Sequence, residues 1–281
     1  MLDKILYSGK DRIVYSTKNG ELRYQELYDR AKRYGELLKR QGDSPVIILG
    51  HKDIDTFVTI FACLYAGRAY IPLDLWIPKE RIAKIIACSE ASLVITHEHF
   101  EFENITVTNL RDLEKYNEYP IQDIHNDIAY IIFTSGSTGQ PKGVPITYSN
   151  LLHFIKWINS VKPLSDYQNI TVLNQASFSF DLSVADIFYT VSNGHTLVAL
   201  EKELQDDYSQ IFDTIAKNNV NVLVVTPTFL KLCLVNREFT QDNYPSIMCI
   251  YCCGEQLEVS TAKKIYSAFP DCKLINAYGP T

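Results

Sequence analysis

The sequence predicts an α/β fold in which two parallel-rich sheets are flanked by helices. Several short runs are almost entirely apolar, such as Val222 to Val225, which is typical of strands covered on both faces. These runs alternate with segments whose apolar residues recur at helical spacing. Such alternation favours parallel strands joined by crossover helices, and no apolar run approaches the roughly 18 residues of a membrane span.

The first part of the chain supplies the elements of one sheet. Helices are predicted over 24–40, 54–66 and a segment that Pro78 opens, and strands over 46–49 and 92–96. Residues 97–126 are polar and irregular, and we interpret them as a loop that joins two sheets. The approximate sub-lobes are therefore 1–126 and 127–281.

The later part repeats the alternation of strands and helices. Strands are predicted over 127–133, 170–174, 195–200, 220–225, 246–252 and 273–277. Helices are predicted over 149–160, 183–192, 206–218, 227–235 and 258–269. Ligands of such folds bind beyond the carboxyl ends of the strands, so functional residues are expected there.

Composition narrows the class of protein. The net charge of −6 argues against a nucleic-acid or anionic-membrane binder, and we expect no signal peptide because the first residues are charged. Seven scattered cysteines are typical of free thiols in a reducing compartment, so a cytoplasmic protein is expected. No spacing of Cys and His indicates a metal site: Cys249 and Cys252 are three apart in a predicted strand, where they would point to opposite faces.

The stretch FTSGSTGQPKGV, residues 133–144, follows a buried strand and is rich in glycine and hydroxyl side chains. Backbone N–H groups, hydroxyls and Lys142 can together hold anionic oxygens, although a flexible connection would also explain the composition. The stretch is not the motif of P-loop NTPases, because Val144 stands where that motif has a hydroxyl and Pro145 prevents a helix from starting at the lysine. A phosphate would be held by a loop.

The run IAYIIFTSGSTGQPKG resembles the phosphate-loop signature of the adenylate-forming enzymes, which include acyl-CoA synthetases, luciferases and amino-acid adenylation domains. Four further stretches are similar to elements of that superfamily in matching order: LRYQEL, LYAGRAYIPLD, FDLS and NAYGPT, which begin at residues 22, 64, 180 and 276. The wider sequence around Asp181 and after Ile71 also resembles the branch of D-alanine–carrier-protein ligases. The resemblance covers the whole chain, as the N-terminal part of an adenylation domain.

Two residues, Asp181 and Cys253, are candidates for contact with the substrate. Asp181 would cap a helix or, among aromatic and small residues, hold a cation; in the amino-acid-activating branch the matching aspartate binds the substrate's ammonium group. Cys253 matches a cysteine that lies beside the substrate's α-carbon in the D-alanine branch. With Ala277 it would restrict the substrate to a small side chain, D-alanine first.

The resemblance implies an ATP- and Mg²⁺-dependent ligase that forms an aminoacyl-adenylate and passes it to the phosphopantetheine thiol of a carrier protein, in lipoteichoic acid biosynthesis. Lys142 and Thr281 are the implied catalytic residues. Tyr278 would stack on adenine, although a core aromatic is the alternative. The implied ATP-binding residues are Thr134, Ser135, Gly136, Ser137, Thr138, Gly139, Lys142, Gly254, Glu255, Asn276, Ala277, Tyr278, Gly279, Pro280 and Thr281.

The chain departs from the superfamily after Thr281, where the next glutamate and the C-terminal lid are expected. We therefore expect a truncated portion that is inactive alone. Two alternatives stay open: an adenylation domain of a nonribosomal peptide synthetase for another small amino acid, and a non-catalytic nucleotide-binding module.

Overall fold

The computed structural model describes residues 2–7, 9–116, 120, 126–135 and 140–279, with residues 116, 135, 205 and 206 described by backbone alone. The chain divides into two compact units. The first comprises residues up to 11 together with 22–154, and the second comprises 12–21 and 155 onward. The units divide inside a helix near residue 154, and not at residue 126, because the strand that starts at Ile128 pairs into the first sheet.

The first unit is built on a six-stranded sheet. Its strands are β3 (Val46–Leu49), β4 (Tyr70–Leu73), β5 (Leu93–Ile95), β6 (Thr106–Thr108), β7 (Ile128–Ser135) and β8 (Pro141–Thr147). Their order is β6-β5-β3-β4-β7-β8. All neighbours are parallel except β7 and β8, which pair as an antiparallel hairpin.

Three helices belong wholly to this unit: α1 (Tyr24–Lys39), α2 (Ile54–Ala66) and α3 (Lys79–Cys88). α2 begins at a capping aspartate and ends at Gly67, whose φ of 75° is the left-handed conformation that glycine adopts without strain. Arg68 follows and is fully buried, and it donates hydrogen bonds to the carbonyl oxygens of Ser44 at 2.8 Å and Leu38 at 3.0 Å. The turn after α2 is thereby fixed to the end of α1 and to the segment before β3.

The second unit is centred on a seven-stranded sheet. Its strands are β1 (Ile13–Thr17), β2 (Gly20–Arg23), β9 (Thr171–Asn174), β10 (Thr196–Ala199), β11 (Val222–Val225), β12 (Cys249–Cys252) and β13 (Lys273–Asn276). Their order is β13-β12-β11-β9-β10-β1-β2. The strands from β13 to β1 are parallel to their neighbours.

The remaining helices are α4 (Tyr148–Ile158), which contains the division between the units, α5 (Leu182–Asn193), α6 (Lys202–Asp206), α7 (Tyr208–Lys217), α8 (Pro227–Cys233) and α9 (Val259–Ala268). The core of the second unit packs the central strands against α7, α8 and α9, with aromatic contacts such as Phe239 on Phe269 at 4.8 Å between ring centroids. Burial of this apolar surface is the main favourable term in folding.

The predicted fold class is confirmed, and most predicted helices and strands lie within a few residues of their predicted bounds. Five strands lie outside the predicted ones: β1, β2, β4, β6 and β8. β8 contains Pro141 and Pro145, which argue against a strand, but it lies at the edge of its sheet, where a missing N–H breaks no ladder.

Candidate active site

The seven-stranded sheet has a topological switch point between β9 and β11. The chain leaves β9 through α5 towards β10 on one side, and leaves β11 through α8 towards β12 on the other. In open α/β sheets this divergence leaves a crevice at the carboxyl ends of the two strands, where ligands bind. The candidate site of the second unit is therefore sought around the residues that follow β9, β11 and β12.

These residues are connected to one another across the sheet. The backbone N–H of Cys253 donates to the carbonyl of Val225 at 3.2 Å. The backbone N–H of Thr226 reaches the side-chain oxygen of Gln175 at 3.4 Å, across the switch point itself. The edge that bounds the crevice is thus held by hydrogen bonds as well as by strand pairing.

Asp181 occupies the N-cap position directly before α5, at the end of the segment that follows β9. Its carboxylate makes no capping hydrogen bond to the helix, so the alternative of a side chain that caps α5 does not hold. The preceding segment is held in place by Ser183, whose hydroxyl donates to the carbonyl of Phe180 at 2.7 Å. Asp181 is half-buried beside an exposed Phe180 and retains a carboxylate that is not used for helix capping.

Cys253 shares the electrostatic environment of Asp181. The pKa of the Cys253 thiol is raised, mainly because the side chain is partly buried, and the negative charge of Asp181 raises the pKa further. Asp181 follows β9 and Cys253 follows β12, so both residues lie at the carboxyl edge of the same sheet. Cys253 is within the range of the Asp181 charge, and its thiol is held neutral.

Gly254 and Glu255 follow at the end of β12. Gly254 has a φ of 94°, a conformation that favours glycine, and its backbone turns the chain away from the sheet. The Glu255 carboxylate accepts hydrogen bonds from both the hydroxyl and the backbone N–H of Thr228, the latter at 3.0 Å. The acid is thereby fixed at the N-terminus of α8, where the helix dipole favours a negative charge.

The segment after β13 continues the same edge. Asn276 pairs with Cys252, and the backbone N–H of Ala277 donates to the carbonyl of Cys252 at 2.8 Å. Tyr278 is 93% exposed, so it is not a core aromatic. A methyl group added to Gly279 would meet no atom within 4 Å. Pro280 and Thr281 lie outside the described residues.

In the first unit, the glycine-rich stretch is carried by the hairpin of β7 and β8. Thr134 pairs with Lys142 and its hydroxyl reaches the Lys142 carbonyl at 3.5 Å, and Ser135 pairs with Pro141. The Lys142 side chain is exposed, and it lines an open cavity of 620 Å³ together with Cys88 and Glu90. The predicted phosphate-binding residues Gly136, Ser137, Thr138 and Gly139 lie outside the described part of the chain.

A family described as "AMP-binding enzyme" matches residues 4–281. This chain belongs to the AMP-binding enzyme family. The D-alanine–D-alanyl carrier protein ligases of Streptococcus pyogenes serotype M5 (strain Manfredo) and serotype M49 (strain NZ131) are each 41% identical to it over 246 residues, which is 85% of this chain and 48% of theirs. The chain therefore spans about half the length of these relatives.

Two solved structures show the same fold. The N-terminal subdomain of Klebsiella oxytoca NpsA, in complex with 3-hydroxybenzoyl-AMSN, superposes with a TM-score of 0.82 at 20% identity, over 96% of this chain and 69% of that one. VinN in complex with L-aspartate gives a TM-score of 0.82 at 18% identity, over 99% and 78% of the two chains. At these identities the similarity is one of fold.

Three further residues lie at the switch point and were not predicted as site residues: Gln175, Thr226 and Thr228. Thr226 caps α8 by accepting from the backbone N–H of Phe229, and Thr228 holds Glu255. The triplet Thr-Pro-Thr directly after the apolar run Val222–Val225 is the signal that predicts a capped helix there.

No group of three or more His, Cys, Asp or Glu side chains in the described ranges is arranged to hold a metal ion. Over the same residues, no helix has the length and apolar character needed to cross a bilayer.

Proposed function

We propose that this chain is the substrate-binding part of a ligase that activates D-alanine with ATP as an aminoacyl-adenylate and then transfers it to the phosphopantetheine thiol of a carrier protein. The observation that carries the proposal is the approach of Asp181 and Cys253 at the switch point. Sequence identity of 41% to D-alanine–D-alanyl carrier protein ligases supports the choice of substrate and partner.

Asp181 is suited to bind the ammonium group of an amino acid. A half-buried carboxylate that does not cap its helix gains a charge-assisted hydrogen bond from such a cation, which is about twice as strong as a neutral one. Cys253 stays a neutral, compact side chain because its pKa is raised, so it contributes shape and not charge. With Ala277, it would leave room for a methyl group beside the α-carbon.

The nucleotide would be held by residues that fit its two chemical parts. Lys142 presents an exposed cation next to the hydroxyl of Thr134, a combination suited to phosphate oxygens. Tyr278 presents an exposed ring, which suits stacking of a base. We propose that Ser135, Gly136, Ser137, Thr138, Gly139, Gly254, Glu255, Asn276, Pro280 and Thr281 complete the ATP contacts.

In the first reaction a carboxylate oxygen of the amino acid would attack the α-phosphorus of ATP, and the bond from that phosphorus to the departing pyrophosphate would break. The two reacting groups are both anions. The barrier of the reaction is therefore lowered chiefly by positioning and by fixed positive charge. Asp181 would fix the amino end of the substrate, and Lys142 would neutralise phosphate charge. Mg²⁺ bound to ATP would supply further charge neutralisation. We place this reaction in the cytoplasm, as a step of lipoteichoic acid biosynthesis.

A stable analogue of the adenylate, alanyl-sulfamoyl-adenosine, tests the proposal by direct binding to the chain. The D-alanyl form is expected to bind more tightly than the L-alanyl and glycyl forms in isothermal titration calorimetry. Tighter binding of the L-alanyl or glycyl form would favour an adenylation domain for another small amino acid. Binding of ATP with no gain from any aminoacyl group would favour a non-catalytic nucleotide-binding module.

The second test concerns turnover. We propose that the chain alone does not support exchange of labelled pyrophosphate into ATP with D-alanine, whereas a protein that adds the remaining half of its relatives' length does. Brisk exchange by the chain alone would contradict that part of the proposal.

A further inference from the structure

A second pocket, remote in sequence from the residues above, lies within the first unit between the short 3₁₀ helix Leu2–Lys4 and the first turns of α1. Its volume is 290 Å³, and three of its walls are the tyrosines 7, 24 and 28. Asp3, Leu6 and Lys10 also line it. A concave site with several aromatic walls and few charged groups is the usual form of a small-ligand pocket.

The aromatic walls are set by the local structure. Tyr24 is the first residue of α1 and is 2% exposed, and Tyr28 follows one turn later on the same helix face. The ring of Tyr7 meets that of Tyr24 edge-on, with 5.9 Å between centroids and 73° between planes. This position of Tyr7 depends on Gly9, because a Cβ at Gly9 would lie 2.2 Å from the Tyr7 ring.

Two charged side chains of opposite sign, Asp3 and Lys10, line the pocket, and they differ in their hydrogen bonds. The pKa of Tyr28 is raised, first by the negative charge of Asp3 and then by the hydrogen bond that its hydroxyl donates to the Asp3 carboxylate. Asp3 is thereby tied to the aromatic wall. The Lys10 side chain is exposed. Its backbone carbonyl accepts a hydrogen bond from the Gln25 N–H at 3.1 Å, which fixes the backbone but not the side chain.

We propose that this pocket binds a small organic cation, of the quaternary ammonium class. The faces of aromatic rings carry negative potential and attract cations, and several rings around one space form the aromatic cage that suits such a ligand. Asp3 adds a full negative charge at the same wall. Lys10 opposes the cation, and its flexible stem allows the ammonium group to move into solvent. The site is independent of the amino-acid and nucleotide residues proposed above.

Choline and its uncharged isostere 3,3-dimethyl-1-butanol separate charge from shape. Both are titrated into the full chain, and binding is followed by NMR of the ligand methyl groups and by tyrosine fluorescence. Choline is expected to bind at least about fivefold more tightly than the alcohol, since cation–π attraction is lost with the charge. Equal affinities would show that the pocket selects shape alone and would overturn the proposal.

Two charge variants give opposite expectations for the same pocket. Asp3→Asn is expected to weaken choline binding and Lys10→Gln to strengthen it, each by about three- to fivefold, a size that fits charges near an exposed site. Neither variant should alter the weak binding of the alcohol. Both residues are exposed, so the fold is retained, and circular dichroism checks this. Shifts of the same sign in the two variants would contradict the assignment.

Substitutions that alter the tyrosine rings lining the pocket test where the ligand binds. Tyr28→Leu keeps an apolar side chain and removes a ring, so choline binding should fall while binding of the alcohol is retained. Gly9→Ala is expected to displace the Tyr7 ring and to weaken choline in the same way. Unchanged choline binding in both variants would show that the cation binds elsewhere.

Discussion

Two aspartates occupy comparable places in the two units and have different surroundings. Asp53 follows β3 and precedes α2, and its carboxylate accepts from the backbone N–H of Thr56 at 2.8 Å and from the Thr56 hydroxyl at 2.6 Å. Asp181 follows β9 and precedes α5, and it makes no capping hydrogen bond. The same residue type at the same kind of helix start therefore caps the helix in one unit and does not cap it in the other.

The carboxyl edges of the two sheets differ in the same sense. In the first sheet β3 and β4 are neighbours, and after their carboxyl ends His51 Nδ1 lies 3.0 Å from a carboxylate oxygen of Asp74. Lys52 and Asp74 are buried there, 1% and 6% exposed. At the carboxyl edge of the second sheet, Glu255 and Tyr278 are exposed. The side chains that follow the strands therefore decide whether a carboxyl edge is closed or open.

The largest expected effect comes from removing the charge of Asp181. Asp181→Asn keeps the size of the side chain. It should weaken the binding of D-alanyl-sulfamoyl-adenosine by about 3 kcal/mol, roughly 150-fold, since the ligand's ammonium group loses its counter-charge. Calorimetry on the chain measures the change. Asp166→Asn, an exposed aspartate of the same unit that pairs with Lys162, is the matched control and should bind normally. Unaltered affinity in the Asp181 variant would remove the contrast with Asp53.

The amino edge of the seven-stranded sheet differs from its carboxyl edge, because it contains a buried histidine. This residue, His195, directly precedes β10. Burial, with a smaller effect of the Arg12 charge, lowers the pKa of His195 from 6.5 to about 4. The folded state thus holds the ring neutral while the unfolded chain protonates it. Stability from this group is present above pH 6.5 and is lost as the pH falls towards 4, by up to about 3 kcal/mol.

Denaturant unfolding of the parent and of His195→Phe between pH 7 and 4 measures this loss. The Phe ring fills similar space beside Tyr189, whose centroid is 5.0 Å from the imidazole, and it does not titrate. The parent should lose more stability than the variant over that range. Parallel pH curves for the two proteins would show that His195 does not titrate on unfolding.

The sequence was sufficient for elements with a strong local pattern. The apolar run Val222–Val225 and the capped helices are specified by neighbouring residues, and they were found where predicted. β6 was not predicted because Thr106–Thr108 is short and polar, and it is stabilised by pairing with β5. Such strands depend on a neighbour that the local sequence does not reveal.

The candidate site needed more than local pattern. Residue types at Asp181 and Cys253 suggested a substrate pair through family resemblance, but their approach depends on β11 lying beside β9, with β10 on the other side. Strand order is a property of the whole sheet, so Gln175, Thr226 and Thr228 could not be placed in the crevice from sequence. Their hydrogen bonds across the switch point became evident only in the fold.

A smaller effect is expected from the size of the Cys253 side chain. Cys253→Leu adds volume in a half-buried place and should weaken the D-alanyl analogue by about 2 kcal/mol, because the substrate methyl group loses its space. The glycyl analogue should lose less. Ser165→Leu, which adds an apolar side chain at an exposed position of the same unit, is the control. Equal losses for the two analogues would argue that Cys253 does not face the substrate side chain.

The smallest expected effect concerns Asp53, the capping aspartate of the first unit. Asp53→Ala removes the cap of α2 and should cost about 1 kcal/mol of stability, seen as a fall of about 2 °C in Tm. Asp181→Ala should lower Tm by less than Asp53→Ala does, because it removes no capping hydrogen bond. In the binding assay the order reverses: Asp53→Ala should bind D-alanyl-sulfamoyl-adenosine as the parent does, and Asp181→Ala should not. If Asp181→Ala lowers Tm as much as Asp53→Ala, then Asp181 supports α5 after all, and its carboxylate is not reserved for an amino group.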